Sequence, residues 1–214
     1  MKKNYFYESN SYNILYNMKS VLFIGILFSI IINSPLMSQN QTKDVFEVIH
    51  NRKSVREYQQ TAVPKEMVET MLKAAMAAPT ARNVQPWRFY VIRNRQKLEQ
   101  LAQELPYAKM LYQAPLAIVV AGNTQQGNPS GEQIHNWKLD CSAATQNLLL
   151  AAEAIGLGAV WTGVYPYEAR VKAVSNALSL PGHIIPLNII PIGFPRKDEK
   201  PKDKWDRDKV IFVD

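Results

Sequence analysis

The sequence predicts a compact α/β body from Lys43 onward, and three observations carry that prediction. Apolar residues recur at helical spacing in Val45 to His50, and again at Met67, Val68, Met71, Leu72 and Ala75. Short apolar runs at Phe89 to Ile92, Ala117 to Ala121 and Ile184 to Ile192 have the length of strands rather than helices. A composition of 47% hydrophobic and 20% charged residues belongs to a chain that buries a core, not to a disordered one. The 214 residues suffice for one such domain, here residues 39–214, with an extension.

The extension comes first, at residues 1–38. Val21 to Ile32 is an apolar run preceded by Lys19 and followed by Asn33-Ser-Pro-Leu-Met-Ser38. A basic flank, a short apolar stretch and a small residue before Gln39 make a secretory signal peptide, which would place the body outside the cytoplasm. The run is short for a membrane span, which needs roughly 20 residues. Left uncleaved, it is the segment through which the protein would touch a membrane. Residues 1–17 are rich in Tyr and Asn, unlike the start of a signal, so Met18 is an alternative start. A buried core helix is the competing reading.

Within the body, Asp44 is a suitable N-cap for the helix that begins at Val45. Pro64 sits at the first turn of a second helix, which stops before Pro79. The segment Ala78-Pro-Thr-Ala-Arg-Asn-Val-Gln-Pro-Trp-Arg-Phe89 then brackets polar side chains between two prolines. Such a segment is neither helix interior nor central strand. A polar loop held between a helix and a strand is a usual place for a ligand site, although a plain surface connection is the alternative. After the strand at Phe89 come a short helix near Gln96 to Leu105, the strand at Ala117 and a loop over Gly122 to Gly131. Asp140 to Leu157 reads as a helix closed by Gly156. It is apolar around most of its circumference, so it belongs at the centre of the fold or in a dimer interface. Gly158 to Gly163 is a strand turning into loop, Tyr167 to Leu178 a helix, and Pro195 to Lys204 an extended tail.

The formal net charge is +7, part of it from Lys2, Lys3 and Lys19 in the extension. Basic residues of the body fall in two clusters, Arg52 to Arg56 and Arg196 to Lys209, the second interleaved with acids. That pattern suits a small anion better than a nucleic-acid face. The first cluster read alone is equally a solvated helix end. One cysteine, Cys141, excludes an intramolecular disulfide and reads as an inert buried thiol. His50, His135 and His183 lack the spacing of a zinc site. Hydrolase elbows and phosphate-binding loops are missing, and Trp161 stands where Gly156 and Gly158 would need a third dinucleotide-binding glycine. Anion-binding signals without acid–base machinery point to a cofactor that carries the chemistry.

Five segments, in this order, resemble the FMN-dependent nitroreductase family across roughly residues 44–212. They are Arg52-Lys-Ser-Val-Arg-Glu-Tyr58, Ala78 to Trp87, Gln146-Asn-Leu-Leu-Leu-Ala-Ala152, Gly156-Leu-Gly-Ala-Val-Trp161, and Ile192-Gly-Phe-Pro195 with its basic tail. The resemblance implies an α+β sandwich, a central mixed or antiparallel sheet flanked by helices, and an intertwined homodimer with FMN in the interface. It implies that Arg52 and Ser54 contact the FMN phosphate and ribityl chain, with Lys53 beside them. Arg56 falls near the flavin N1 and O2 edge, where a cation favours negative charge on the ring. Pro79, Thr80, Ala81 and Asn83 correspond to the segment that reaches the flavin of the other subunit, and Thr162 and Gly163 to the backbone facing flavin N5. Lys202 and Lys204 correspond to a pair gripping the phosphate; relatives often carry Arg at the second position, and lysine keeps the charge without the bidentate fork. The implied activity is transfer of hydride from NAD(P)H or another donor, through flavin N5, to a small electron-poor acceptor such as a nitroaromatic or quinone. A dehalogenase or flavin-consuming oxygenase of the same fold, or a flavin-binding protein without turnover, are the alternatives. Export sits badly with NAD(P)H, for which an extracytoplasmic enzyme has no pool.

Overall fold

The computed structural model describes residues 44–213, so the signal-peptide expectation lies outside the described residues. Helix α1 (Val45–Asn51) starts under the Asp44 side chain, which accepts a hydrogen bond from the Phe46 amide at 3.1 Å. Helix α2 (Lys65–Met76) follows Pro64 and buries Val68, Met71 and Ala75 at the predicted spacing. Then come β1 (Trp87–Ile92), α3 (Arg95–Glu104) and β2 (Leu116–Asn123). Helix α4 (Asn136–Ala154), the short strands β3 (Gly158–Ala159) and β4 (Thr162–Gly163), α5 (Glu168–Leu178) and β5 (Ile184–Gly193) complete the body.

The five strands form one sheet in the order β1-β2-β5-β3, with β4 also paired to β5. Every strand pairing is antiparallel, so the predicted sheet resolves to that form; Ser54 and Ala159 add one isolated parallel bridge. Because side chains alternate across a strand, one sheet serves two cores. Leu116, Ile118, Val120, Ile190 and Ile192 pack with α2 and α4. Ala117, Val119 and Ile189 face α3 and α5. Strand β5 lies between β2 and β3 yet contains Pro186 and Pro191, residues that remove ladder donors. Its register to β2 slips between Val120 and Ala121, beside the Pro186 pairing.

Two sequence-based boundaries need correction. Helix α4 begins at Asn136, a full turn before Asp140, because the 3₁₀ turn Gly131–His135 feeds straight into it. Asp140 is therefore inside the helix, and its carboxylate reaches the Ala81 amide. The stretch Gly158 to Gly163 is two short strands split at Val160 and Trp161 rather than one. Gly156 does end the helix, at φ +79°, a left-handed conformation that glycine adopts without strain. The Leu157 amide then returns to the Ala152 carbonyl at 2.8 Å.

The segment between α1 and α2 is pinned across the sheet. The Val55 amide donates to the Ala159 carbonyl at 3.1 Å, and the buried Tyr58 hydroxyl donates to the carbonyls of Val55 and Pro191 at 2.6 and 3.1 Å. Gly158 allows this approach: a Cβ there would lie 2.6 Å from Val55 Cγ1.

Candidate active site

Arg52 caps the carboxyl end of α1 with its amide on the Val48 carbonyl, which fixes where its half-buried side chain leaves the backbone. It lines a cavity of about 570 Å³ together with His50, Lys202, Lys204 and Trp205. Cations predicted from opposite ends of the body thus meet at one place. Asp203 also lines this cavity, but its carboxylate accepts the Trp205 amide at 3.0 Å and is turned onto its own turn. Lys53 leaves the segment on another side. Its ammonium pairs with Glu153 on α4 at 3.6 Å instead of standing beside Arg52. Alternation along an extended segment explains this, since consecutive side chains leave on opposite sides. Ser54 is half-buried and bridged to Ala159.

Two residues further on, Arg56 is exposed and donates to the Ser54 carbonyl at 3.4 Å. It lines a second cavity, about 510 Å³, together with the predicted Thr162 and Gly163. The segment from Arg52 to Arg56 joins the two cavities, and four residues span at most about 14 Å of chain. Gly163 is informative. Its φ is not left-handed, and a Cβ added there would meet nothing within 4 Å. Neither backbone nor packing demands glycine at this point, and the space above its backbone is open.

The polar loop is a third feature. Arg82, Asn83 and Gln85 hold φ of 52°, 56° and 51°, a left-handed conformation that costs a side-chain-bearing residue roughly 1 kcal/mol or more. Two local bonds and one from α4 hold the loop. Thr80 Oγ1 accepts the Gln85 amide at 3.2 Å, Gln85 Nε2 donates to Asn83 Oδ1 at 2.8 Å, and Asp140 Oδ1 accepts the Ala81 amide at 3.0 Å. Asp140 is buried, and burial holds its carboxyl above the usual carboxylate range while the Ala81 N–H pulls the other way. Pro79 and Asn83 are exposed, and Ala81 lines a separate recess with Asp140 and Trp137 rather than the cavities of Arg52 or Arg56. Within one chain the loop does not join them. Cys141 is buried, its thiol pushed up to about 12 chiefly by burial, and has no nucleophilic character at neutral pH.

Sequence reasoning missed Tyr107, Lys109, Trp161 and Arg170, which share the second cavity with Arg56. Trp161 closes the Gly156 to Trp161 segment but carried no site role in the sequence, and Tyr107, Lys109 and Arg170 belong to no motif. The one available signal was that Tyr107 and Trp161 are large aromatics in connecting segments, outside any apolar stripe.

A model of the Nitroreductase family matches residues 49–106 and 97–194. The chain belongs to the nitroreductase family. A Methanothermobacter thermautotrophicus protein with the provisional name NADH dehydrogenase/NAD(P)H nitroreductase is 44% identical over 167 residues, 78% of this chain and 85% of that one. A Parabacteroides distasonis crystal structure of the same provisional name superposes with a TM-score of 0.75 at 46% identity, covering 79% of this chain and 98% of that one. A Desulfovibrio desulfuricans protein, provisionally named a nitroreductase and solved with FMN, gives 0.69 at 29% identity, covering 80% and 98%. The residues present here fit such a group. A cavity with three cations suits a phosphate. Close to it, an exposed cation and a glycine backbone with free space above it suit the edge and face of a flat ring.

Proposed function

We propose that this member of the nitroreductase family is an FMN-dependent oxidoreductase. It takes electrons from NAD(P)H, or from another donor, and passes them to a small electron-poor acceptor such as a nitroaromatic or quinone. The observation that carries the reading is the convergence of Arg52 with Lys202 and Lys204 in one cavity, joined by the 52–56 segment to a second cavity at Arg56 and Gly163.

Bound FMN supplies reversible acceptance and release of hydride, which none of these side chains can perform. Arg52 offers the phosphate a planar fork of donors, and Lys202 and Lys204 add charge with less direction. Ser54 adds a neutral donor. Arg56 would set a cation beside the bound group and favour negative charge on it, an electrostatic contribution that costs no reorganisation. Gly163 would let a flat group approach the backbone of β4. Donor and acceptor use one open site in turn, which requires ping-pong kinetics.

Two features support a homodimer that completes the site. Leu139, Ala143, Leu150 and Ala154 form a partly exposed stripe on α4, and Leu139 is 72% exposed. Val45, Phe46 and Ile49 on α1 are exposed apolar residues as well. The loop at Pro79 to Asn83 then serves the flavin of the other subunit. Light scattering should report a dimer, weakened by loss of FMN. Val21 to Ile32 directs secretion in this proposal, and the donor outside the cytoplasm is then something other than a free NAD(P)H pool.

Initial rates with NAD(P)H and a nitroaromatic or quinone test the activity. Parallel double-reciprocal lines are expected. A protein that holds FMN but reduces neither class of acceptor with any reductant is a carrier, and the enzymatic reading fails.

A further inference from the structure

The second cavity holds more positive charge than one ring edge requires. Besides Arg56 it is lined by Lys109 and Arg170, and no Asp or Glu is among its lining residues. Lys109 is exposed, with its ammonium on the Ala102 carbonyl at 2.9 Å. Arg170 is the better placed. Its guanidinium carbon lies 3.8 Å from the centre of the Tyr167 ring and 5.1 Å from that of Tyr107. Nη1 donates to the Gly163 carbonyl at 3.1 Å. Stacking and this bond hold the fork in one orientation, and the bond uses one of five N–H donors. Trp161 and Tyr107 supply flat apolar walls beside it.

An arginine tethered to the Gly163 carbonyl lines the same cavity as that residue, and this bond leaves four of its five N–H donors. We propose that Arg170 is a specificity-determining residue, and that the cavity takes aromatic substrates bearing a carboxylate or phosphate, which Arg170 holds. This rests on the oxidoreductase reading and gives it a substrate class. The anion has two sources: the acceptor itself, or the phosphate of a nicotinamide donor.

The test uses FMN-loaded protein and a dead-end pair of equal shape, benzoate and benzamide, measured by titration calorimetry. Wild type should bind benzoate at least about tenfold more tightly, the usual size of a charge-assisted bond in a partly open site. Arg170→Gln should collapse that preference to within about twofold, and Arg170→Lys should restore part of it. No preference in wild type, or an unchanged preference in Arg170→Gln, overturns the proposal. Ratios of kcat/KM then separate the sources. If the acceptor carries the anion, the ratio for 4-nitrobenzoate over 4-nitrobenzamide falls in Arg170→Gln. If the donor does, the ratio for reduced nicotinamide mononucleotide over uncharged 1-benzyl-1,4-dihydronicotinamide falls. A fall in neither overturns it. Should Arg170→Gln not fold, salt decides on the wild type: benzoate binding must weaken with ionic strength and benzamide binding must not. Equal response of both sinks the idea. These titrations need no turnover, so a failed oxidoreductase reading would show separately, as FMN-loaded protein that binds benzoate but reduces nothing.

Discussion

Gly163→Ala should stabilise the empty protein while weakening the cofactor. The residue sits in β4, its φ is not left-handed, and the new Cβ would meet no protein atom within 4 Å. Glycine in a strand is less stable than alanine by roughly 0.5–1 kcal/mol, because it loses more conformational freedom on folding. In a domain of this size 1 kcal/mol corresponds to about 2–4 °C, so the FMN-free variant should melt a few degrees above wild type. The methyl group, however, fills space assigned to the ring. Overpacking a close contact costs about 1–3 kcal/mol, which is roughly a 5- to 150-fold weaker FMN complex. Thermal unfolding of the stripped proteins and fluorescence titration with FMN measure the two effects. Gly158→Ala is the control, since its Cβ would lie 2.6 Å from Val55 Cγ1 and should lower the melting temperature of the stripped protein. A Gly163→Ala protein that binds FMN as wild type does would refute the assignment of that space.

Arg52→Ala should weaken FMN by about 1.5–3 kcal/mol per charge-assisted bond lost, whereas Arg56→Ala should chiefly lower the flavin reduction potential; titration and potentiometry on both variants must show that split. Burial raises Asp140 above its usual 3.8, so its favourable contribution is complete below that value and is lost as pH rises through the higher folded pKa. Asp140→Asn keeps an oxygen for the Ala81 amide and should therefore melt above wild type at neutral pH, with the gap closing in acid. Expressed in a secreting host, the protein should be recovered from an extracytoplasmic fraction with its amino terminus near Gln39; full-length protein in the cytoplasm contradicts export.

Periodicity located α2, β2 and β5, because burial on one stripe or on both faces leaves a local pattern. It misplaced the start of α4, since nothing in Asn136 to Leu139 distinguishes a first helical turn from the loop before it. Basic clusters at Arg52 and Lys202 were legible as anion sites, yet their meeting depends on how the tail folds back, which no local signal encodes. Lys53 reads as part of that cluster and turns instead to Glu153, a partner a hundred residues away. Arg170 was invisible for a related reason: one arginine on an ordinary helix acquires its role only when β4 brings the Gly163 carbonyl to it.

The absorption spectrum of the purified protein tests most directly whether these cavities hold FMN. A yellow protein is expected that releases FMN on boiling, one per chain, and that recovers colour when the stripped form is mixed with micromolar FMN. A folded protein that is colourless as purified and takes up no FMN would contradict that expectation.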